Sequence, residues 1–221
     1  MADQAYKPAL RFPALTALFD PVVAVTTRER SFKARVLERA ALAPGEEVLD
    51  MGCGTGTLAL AALAAEPAAR VTGLDADPEV LARARRKAAG ARVELDLDEG
   101  FSTELPYDDG RFDAVLSTLF FHHLEDVDKR RTAAEALRVL RPGGRLVVGD
   151  LGRSQDPLMR VAVLGTVQLL DGFATTSASV AGKLPAMLAE AGLAEVRVTD
   201  RLRTPTGTIE VITGRAARLN G

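Results

Sequence analysis

Apolar and polar positions change rhythm repeatedly along the middle of the chain. Short apolar runs with strand character are each followed by a stretch with helical spacing. Residues 12 to 42 read as helical, with Phe32, Val36, Leu37 and Ala40 on one stripe, and Asp20-Pro21 suits a helix start. Pro44-Gly45 punctuates, and a first strand follows from Glu47 to Asp50. A helix covers Thr57 to Ala65, and a second strand Arg70 to Asp75. Asp77-Pro78 opens a helix ending at Gly90, with Asp77 as its cap and Pro78 as its first residue. The third strand is placed at Arg92 to Leu97 and the fourth at Phe112 to Ser117, after a polar loop with Pro106. A helix from Val127 to Leu140 is stopped by Pro142-Gly143-Gly144, and a fifth strand spans Arg145 to Asp150.

Strands alternating with helices predict a parallel sheet covered on both faces. After the fifth strand the rhythm changes. Pro157 to Leu170 is helical in pattern, Phe173 to Val180 is rich in Ser and Thr, and a further helix lies near Leu184 to Ala191. Two strands close the chain, Ala194 to Leu202 and Thr208 to Thr213. Their short link, Arg203 to Gly207, forces an antiparallel pair. One domain is predicted. It comprises an N-terminal helical lid (1–43), a central core (44–150), a lid insert with its helix (151–191) and a C-terminal hairpin (192–221).

At 221 residues and 47% hydrophobic, the chain has ample material for one α/β core. A net charge of -2 gives no pull toward nucleic acid, and the basic run Arg83 to Lys87 reads as a solvated helix face. Cys53 is the single cysteine, so neither an intrachain disulfide nor a cysteine-rich metal site is expected. With no span-length apolar stretch and no secretory pattern at Met1-Ala2-Asp3-Gln4, the expectation is a soluble cytoplasmic protein. Nothing in the pattern sets an oligomeric state.

The chemistry concentrates in Val48-Leu49-Asp50-Met51-Gly52-Cys53-Gly54-Thr55-Gly56-Thr57. An apolar strand ends in an acid, three glycines alternate, and a helix begins. This is the layout of a nucleotide-binding βα unit. A carboxylate at the turn would repel a pyrophosphate, whereas it suits a ligand that brings positive charge. At Asp50, Gly52, Gly54 and Gly56 the chain resembles the class I S-adenosylmethionine-dependent methyltransferases, whose first motif is acid-x-Gly-x-Gly-x-Gly. The resemblance extends through Asp75 at the end of the second strand, Leu105-Pro106 with Phe112-Asp113, and Leu140-Arg141-Pro142-Gly143-Gly144, about residues 46 to 150. It implies a Rossmann-like, doubly wound sheet of seven strands in the order 3-2-1-4-5-7-6, with the last strand antiparallel.

The resemblance also implies S-adenosyl-L-methionine as cofactor and a set of binding residues. Asp50, Gly52, Cys53, Gly54 and Gly56 would hold the methionine moiety. Asp75 and Ala76 would meet the ribose, Gly100, Phe101 and Ser102 would flank the adenine, and Ser117 and Leu119 would line the side toward the methyl group. Asp75 read alone is equally a strand-end turn acid. At Phe101 the family usually has an acid that accepts from the adenine amino group. Phe101 then either stacks on the adenine or belongs to the core, with Asp98 or Glu99 as substitute acceptors. Cys53 has no partner base in sequence and reads as packing around the cofactor.

His122 and His123 are the only histidines, and they follow the fourth strand. Either is a candidate general base, and either could instead tie the loop to the backbone. Two adjacent histidines without a third ligand make no metal site. The aromatic residues Tyr6, Phe12, Phe19 and Phe32, with Met159, Leu164, Gln168, Leu169, Leu170 and Phe173, suggest an apolar lid, although each alone fits helix packing. The substrate expected is a small, largely apolar or aromatic molecule. Three other functions compete: a non-catalytic cofactor-binding module, a nicotinamide oxidoreductase, and a nucleic-acid or protein methyltransferase. The near-neutral charge argues against a nucleic-acid substrate. The oxidoreductase spacing Gly-x-Gly-x-x-Gly would need glycine where Thr57 stands. The Asn-Val signature of quinone C-methyltransferases is absent after the fourth strand, where Ser117-Thr118-Leu119-Phe120 stands.

Overall fold

The computed structural model describes residues 29–153, 181–204 and 207–218. Its elements run α1 (Glu29–Ala40), β1 (Glu47–Met51), α2 (Thr57–Ala65), β2 (Arg70–Asp75), α3 (Pro78–Ala91), β3 (Asp96–Glu99), β4 (Phe112–Thr118), a 3-10 turn (Phe121–His123), α4 (Asp126–Val139), β5 (Leu140–Leu151), α5 (Leu184–Glu190), β6 (Ala194–Thr204) and β7 (Gly207–Arg215). The seven strands form one sheet in the order β3-β2-β1-β4-β5-β7-β6. β7 is antiparallel to both β5 and β6, and the remaining pairs are parallel. Order, direction and hairpin are those expected from the sequence.

Side chains of successive strand residues point to opposite faces, and the sequence uses this to build two apolar layers. On one face Leu49, Met51, Val115, Leu146, Val148 and Ile212 meet Phe121, Ala133 and Leu188. On the other, Val48, Leu116, Val147 and Val211 meet Phe32, Val36, Leu58 and Ala62. Asp50 alternates with Leu49 and Met51, so it falls on the second face, toward α2. At Asp77 the expected cap is in place: its carboxylate accepts from the N–H groups of Glu79 (2.8 Å) and Val80 (3.3 Å), and Pro78 opens α3.

Two boundaries differ from expectation by more than two residues. The third strand starts at Asp96 rather than Arg92, because Arg92 takes a left-handed conformation (φ 56°) and closes α3 by donating to Ala88 and Ala89. Pro142-Gly143-Gly144 does not precede β5 but lies inside it. Leu140 pairs with Phe112, the register shifts, and pairing resumes at Arg145 with Ala114. A residue lacking N–H is tolerated at such an irregularity. The helical readings over 12–28 and 157–170, and the lid residues Tyr6, Phe12, Phe19, Met159, Leu164, Gln168, Leu169, Leu170 and Phe173, lie outside the described residues.

The two distant motifs, Leu105-Pro106 and Leu140 to Gly144, are joined through the residues around them. The Arg138 guanidinium donates to the carbonyls of Leu105 (3.0 Å) and Tyr107 (2.7 Å) and to Glu135, whose carboxylate accepts from the Leu105 N–H. Arg141 holds Asp113, which accepts from the Glu47 N–H at the start of β1. These charge-assisted contacts fix the loop that leads from the third strand to the fourth.

Candidate functional site

The carboxyl ends of β1, β2, β4 and β5 bring the expected residues to one edge of the sheet, where β1 and β4 diverge in connection direction. The glycine turn is bound to β2: the N–H groups of Gly52 (2.8 Å) and Cys53 (2.9 Å) both donate to the Leu74 carbonyl. Gly52 has φ 71°, and a Cβ there would lie 2.4 Å from the Phe120 ring. Both facts require glycine, and the second shows that Phe120 packs directly on the turn. Gly56 caps α2 in the left-handed region.

Asp50 is 1% exposed. Its Oδ2 accepts from the Ala59 N–H at 3.0 Å in the first turn of α2. Among the described residues, its Oδ1 is the buried side-chain polar atom without a partner. Burial raises its pKa to about 7, against the opposing pull of Lys33 and the Ala59 N–H. A buried carboxylate with one satisfied and one orphaned oxygen is suited to receive a cation. That is the requirement of a ligand carrying ammonium and sulfonium groups, so the site fits S-adenosylmethionine.

Asp75 stands at the end of β2. One carboxylate oxygen accepts from the Gly54 N–H (2.9 Å) and the other from the Asp77 N–H (3.1 Å). Burial raises its pKa, opposed by those backbone donors. Each carboxylate oxygen has a second lone pair, so this geometry ties the two turns together and leaves acceptor capacity for vicinal hydroxyls. Ala76 is half-buried beside it. Gly100 donates to the Asp75 carbonyl (3.1 Å), so the strand-end triplet 100–102 sits next to that carboxylate. Phe101 is 40% exposed, which removes the core reading. The Ser102 hydroxyl is turned away to Thr132 of α4, at 2.9 Å. Asp98 accepts from the buried Tyr107 hydroxyl (3.0 Å), while Glu99 is exposed.

Cys53 is buried among these residues, and burial followed by the charges of Asp50 and Asp75 pushes its thiol well above the ordinary range. It is not an activated nucleophile. The Ser117 hydroxyl donates to the Met51 carbonyl (2.9 Å), fastening β4 to β1 at the site. Leu119 has φ 51°, a conformation that bulky residues rarely adopt, and its N–H donates to the Gly149 carbonyl (2.9 Å). This bend turns the chain from β4 over the sheet edge and carries Phe120 and His122 there.

Asp150 organises that bend. It is fully buried, and one oxygen lies 2.6 Å from His122 Nδ1. Its other oxygen accepts from the N–H groups of Phe120 (3.2 Å) and His122 (3.3 Å). Burial raises the Asp150 pKa, but the positive charge and hydrogen bond of His122, with the Leu151 N–H, outweigh it and hold the carboxyl below its usual range. The ionised carboxylate can only accept, so His122 Nδ1 is the donor in this contact. His123 lies beside it, ring centroids 4.0 Å apart, and burial together with its neighbour pushes its pKa down to about 3 despite Asp150. The sequence reading missed Asp150. Its signal was present: an acid closing the apolar run Leu146 to Gly149, as Asp50 and Asp75 close theirs.

Residues 48–144 match the family model described as a methyltransferase domain. A demethylmenaquinone methyltransferase of Thermus thermophilus is 40% identical over 53% of this chain and 52% of its own length. A second of that name, from Clavibacter sepedonicus, is 38% identical over 72% and 65%. The chain thus spans about half to two thirds of the length of these curated relatives. The crystal structure of the S-adenosylmethionine-dependent methyltransferase SibL superposes with a TM-score of 0.73 at 25% identity, covering 94% of this chain and 60% of that one. Residues 48–144 thus form a methyltransferase domain, and the sheet order and glycine turn are those expected of the class I S-adenosylmethionine-dependent type. No helix among the described residues is long and apolar enough to cross a membrane.

Proposed function

We propose that this protein transfers a methyl group from S-adenosyl-L-methionine to a small, largely apolar or aromatic molecule. The observation that carries the reading is the orphaned Oδ1 of Asp50, buried at the end of β1 above the glycine turn. Asp50 and the turn of Gly52, Cys53, Gly54 and Gly56 hold the methionine moiety. Asp75 and Ala76 hold the ribose, and the exposed Phe101 ring, between Gly100 and Ser102, covers the adenine. Ser117 and Leu119 shape the wall toward the reacting carbon. Bound there, the cofactor supplies a methyl carbon already activated by its sulfonium.

The chain's own contribution is alignment and removal of a proton. Holding the two reactants in line lowers the barrier by on the order of 7–11 kcal/mol. His122, oriented by Asp150, takes the proton of the acceptor, a step that adds about 10²–10⁴-fold. With its lowered pKa, His123 stays neutral at physiological pH and is the weaker base. Three curated relatives bear the name demethylmenaquinone methyltransferase, which supports an aromatic acceptor of quinol type. The test is isotopically labelled S-adenosylmethionine incubated with the protein and a cell extract, followed by mass spectrometry. Label in small aromatic products is expected; label confined to macromolecules, or none, would overturn the reading.

A further inference from the structure

Helix α1 packs on the sheet face that carries Asp50, through Phe32 and Val36. Its contacts with β5 fix its direction. At its C-terminal end the carbonyls of Ala40 and Ala41 accept from the guanidinium of Arg145. Farther along β5, a Cβ at Gly149 would fall 2.8 Å from Val36 Cγ2 and 3.4 Å from the Phe32 ring. The N-terminal turn of α1 therefore rises to the carboxyl edge of the sheet and brings Glu29 and Lys33 there. Helical side chains lean toward the helix N-terminus, which carries the Lys33 amine farther in that direction. The two flanks of the helix also differ. Arg39 reaches Asp200 of β6 at 2.7 Å, so its flank faces β6. At about 100° per residue, Lys33 and Leu37 fall on the opposite flank, across the buried stripe of Phe32, Val36 and Ala40. That flank faces β4 and β1, which lie on the other side of β5. Lys33 thus leans toward the end of β1, where Asp50 is buried.

The electrostatics agree with this placement. Burial raises the Asp50 pKa, and the foremost influence opposing it is the charge of Lys33. Helix stability does not account for the lysine. Its Nζ lies 2.5 Å from Glu29 Oε1, but the two side chains are only 13% and 17% exposed. An ion pair of this spacing works equally well on a solvated face, and withdrawing an amine from water is costly. A leucine or methionine beside Phe32 and Leu37 would pack without that cost. Among the described residues Glu29 engages one of the three N–H donors of the ammonium, which leaves donors for an anion at the sheet edge.

We infer that Lys33 recognises the α-carboxylate of the cofactor's amino-acid group, while the orphaned oxygen of Asp50 takes its ammonium. The inference rests on the reading of S-adenosylmethionine as cofactor given above. The two side chains then read the zwitterion from opposite sides, Asp50 from β1 and Lys33 from α1. Holding both charges fixes the rotation of the methionine chain, and with it the direction in which the sulfonium presents its methyl group. Glu29 keeps the amine in place before the ligand arrives.

The test is calorimetric binding of S-adenosylmethionine and of its decarboxylated form, which keeps the ammonium and sulfonium groups and lacks only the carboxylate. Wild type is expected to bind the complete cofactor about tenfold more tightly or better, the worth of a charge-assisted hydrogen bond. Lys33→Met and Lys33→Gln should bring the ratio to within about threefold by weakening the complete cofactor alone, whereas Lys33→Arg should keep most of the preference. Arg35→Met, on the exposed side of α1, should leave both affinities within about twofold of wild type. An unchanged ratio in Lys33→Met and Lys33→Gln would overturn the inference. So would an equal loss on both compounds, the result if Lys33 acts only through the charge of Asp50. A wild type that binds both compounds equally would also overturn it, with the cofactor reading left standing. Binding of neither compound by wild type would overturn that reading and the inference together.

Discussion

Replacing Asp50 by asparagine separates the stability of this fold from its function. The carboxyl is displaced from 3.8 to about 7 by burial, which corresponds to about 4 kcal/mol of destabilisation once the group is ionised. The sign follows from proton counting. Between pH 3.8 and 7 the folded chain keeps a proton that the unfolded chain has released, so stability falls as pH rises through that window and levels off above it. Asparagine keeps the acceptor for the Ala59 N–H and never ionises. The ligand-free variant should therefore match the wild type near pH 3.5 and exceed it increasingly up to pH 7. Recovering even 1 kcal/mol would raise Tm by about 2–4 °C at pH 8. Binding should move the opposite way. Wild-type affinity for S-adenosylmethionine should weaken about tenfold for each pH unit below 7, because only ionised Asp50 pairs with the ligand's cation. The variant should bind at least tenfold more weakly at pH 7.5, with no such acid limb. Differential scanning fluorimetry and isothermal calorimetry across pH 4–8 read both effects. A variant that is no more stable at pH 8 and binds as well as the wild type would refute the reasoning.

Four further outcomes are expected. Asp75→Ala removes the acceptor for the Gly54 and Asp77 N–H groups as well as the ribose partner, so calorimetry should show cofactor affinity lowered about 10–100-fold. His122→Ala should lower kcat about 10²–10⁴-fold while leaving the dissociation constant of S-adenosylhomocysteine within twofold. Asp150→Asn should also lower kcat, since His122 loses its charged partner. Asp77→Ala deletes the cap of α3 and should cost about 1 kcal/mol, a Tm decrease of about 2–4 °C, without altering kcat.

Much of the architecture was legible in the sequence because each element carried its own punctuation. Thr57 to Ala65 and Arg70 to Asp75 match their expected limits residue for residue, bounded by glycine and by acid. The errors fell where a backbone conformation outweighed a pattern. Arg92 is chemically at home in a strand, but the left-handed turn that closes α3 claimed it. The Pro-Gly-Gly stretch looks like a stop, yet Leu140 already pairs with Phe112 before it. At the site, the linear motifs revealed Asp50, the glycines and Asp75, whose roles depend on local turns. Asp150 escaped because its position depends on contacts across the sheet: it meets a histidine 28 positions away. No spacing rule links such positions before strand order is known. Phe120 on Gly52 is a similar case, visible only when β4 lies beside β1.

The account depends on a buried carboxylate at the end of β1 being made to meet a positively charged adenosyl ligand. Calorimetric titration of the purified protein with S-adenosylhomocysteine and, separately, with NADH tests this most directly. One-site binding of the thioether in the micromolar range, with no heat from the dinucleotide, is the predicted result. Saturable binding of NADH together with indifference to the thioether would contradict it.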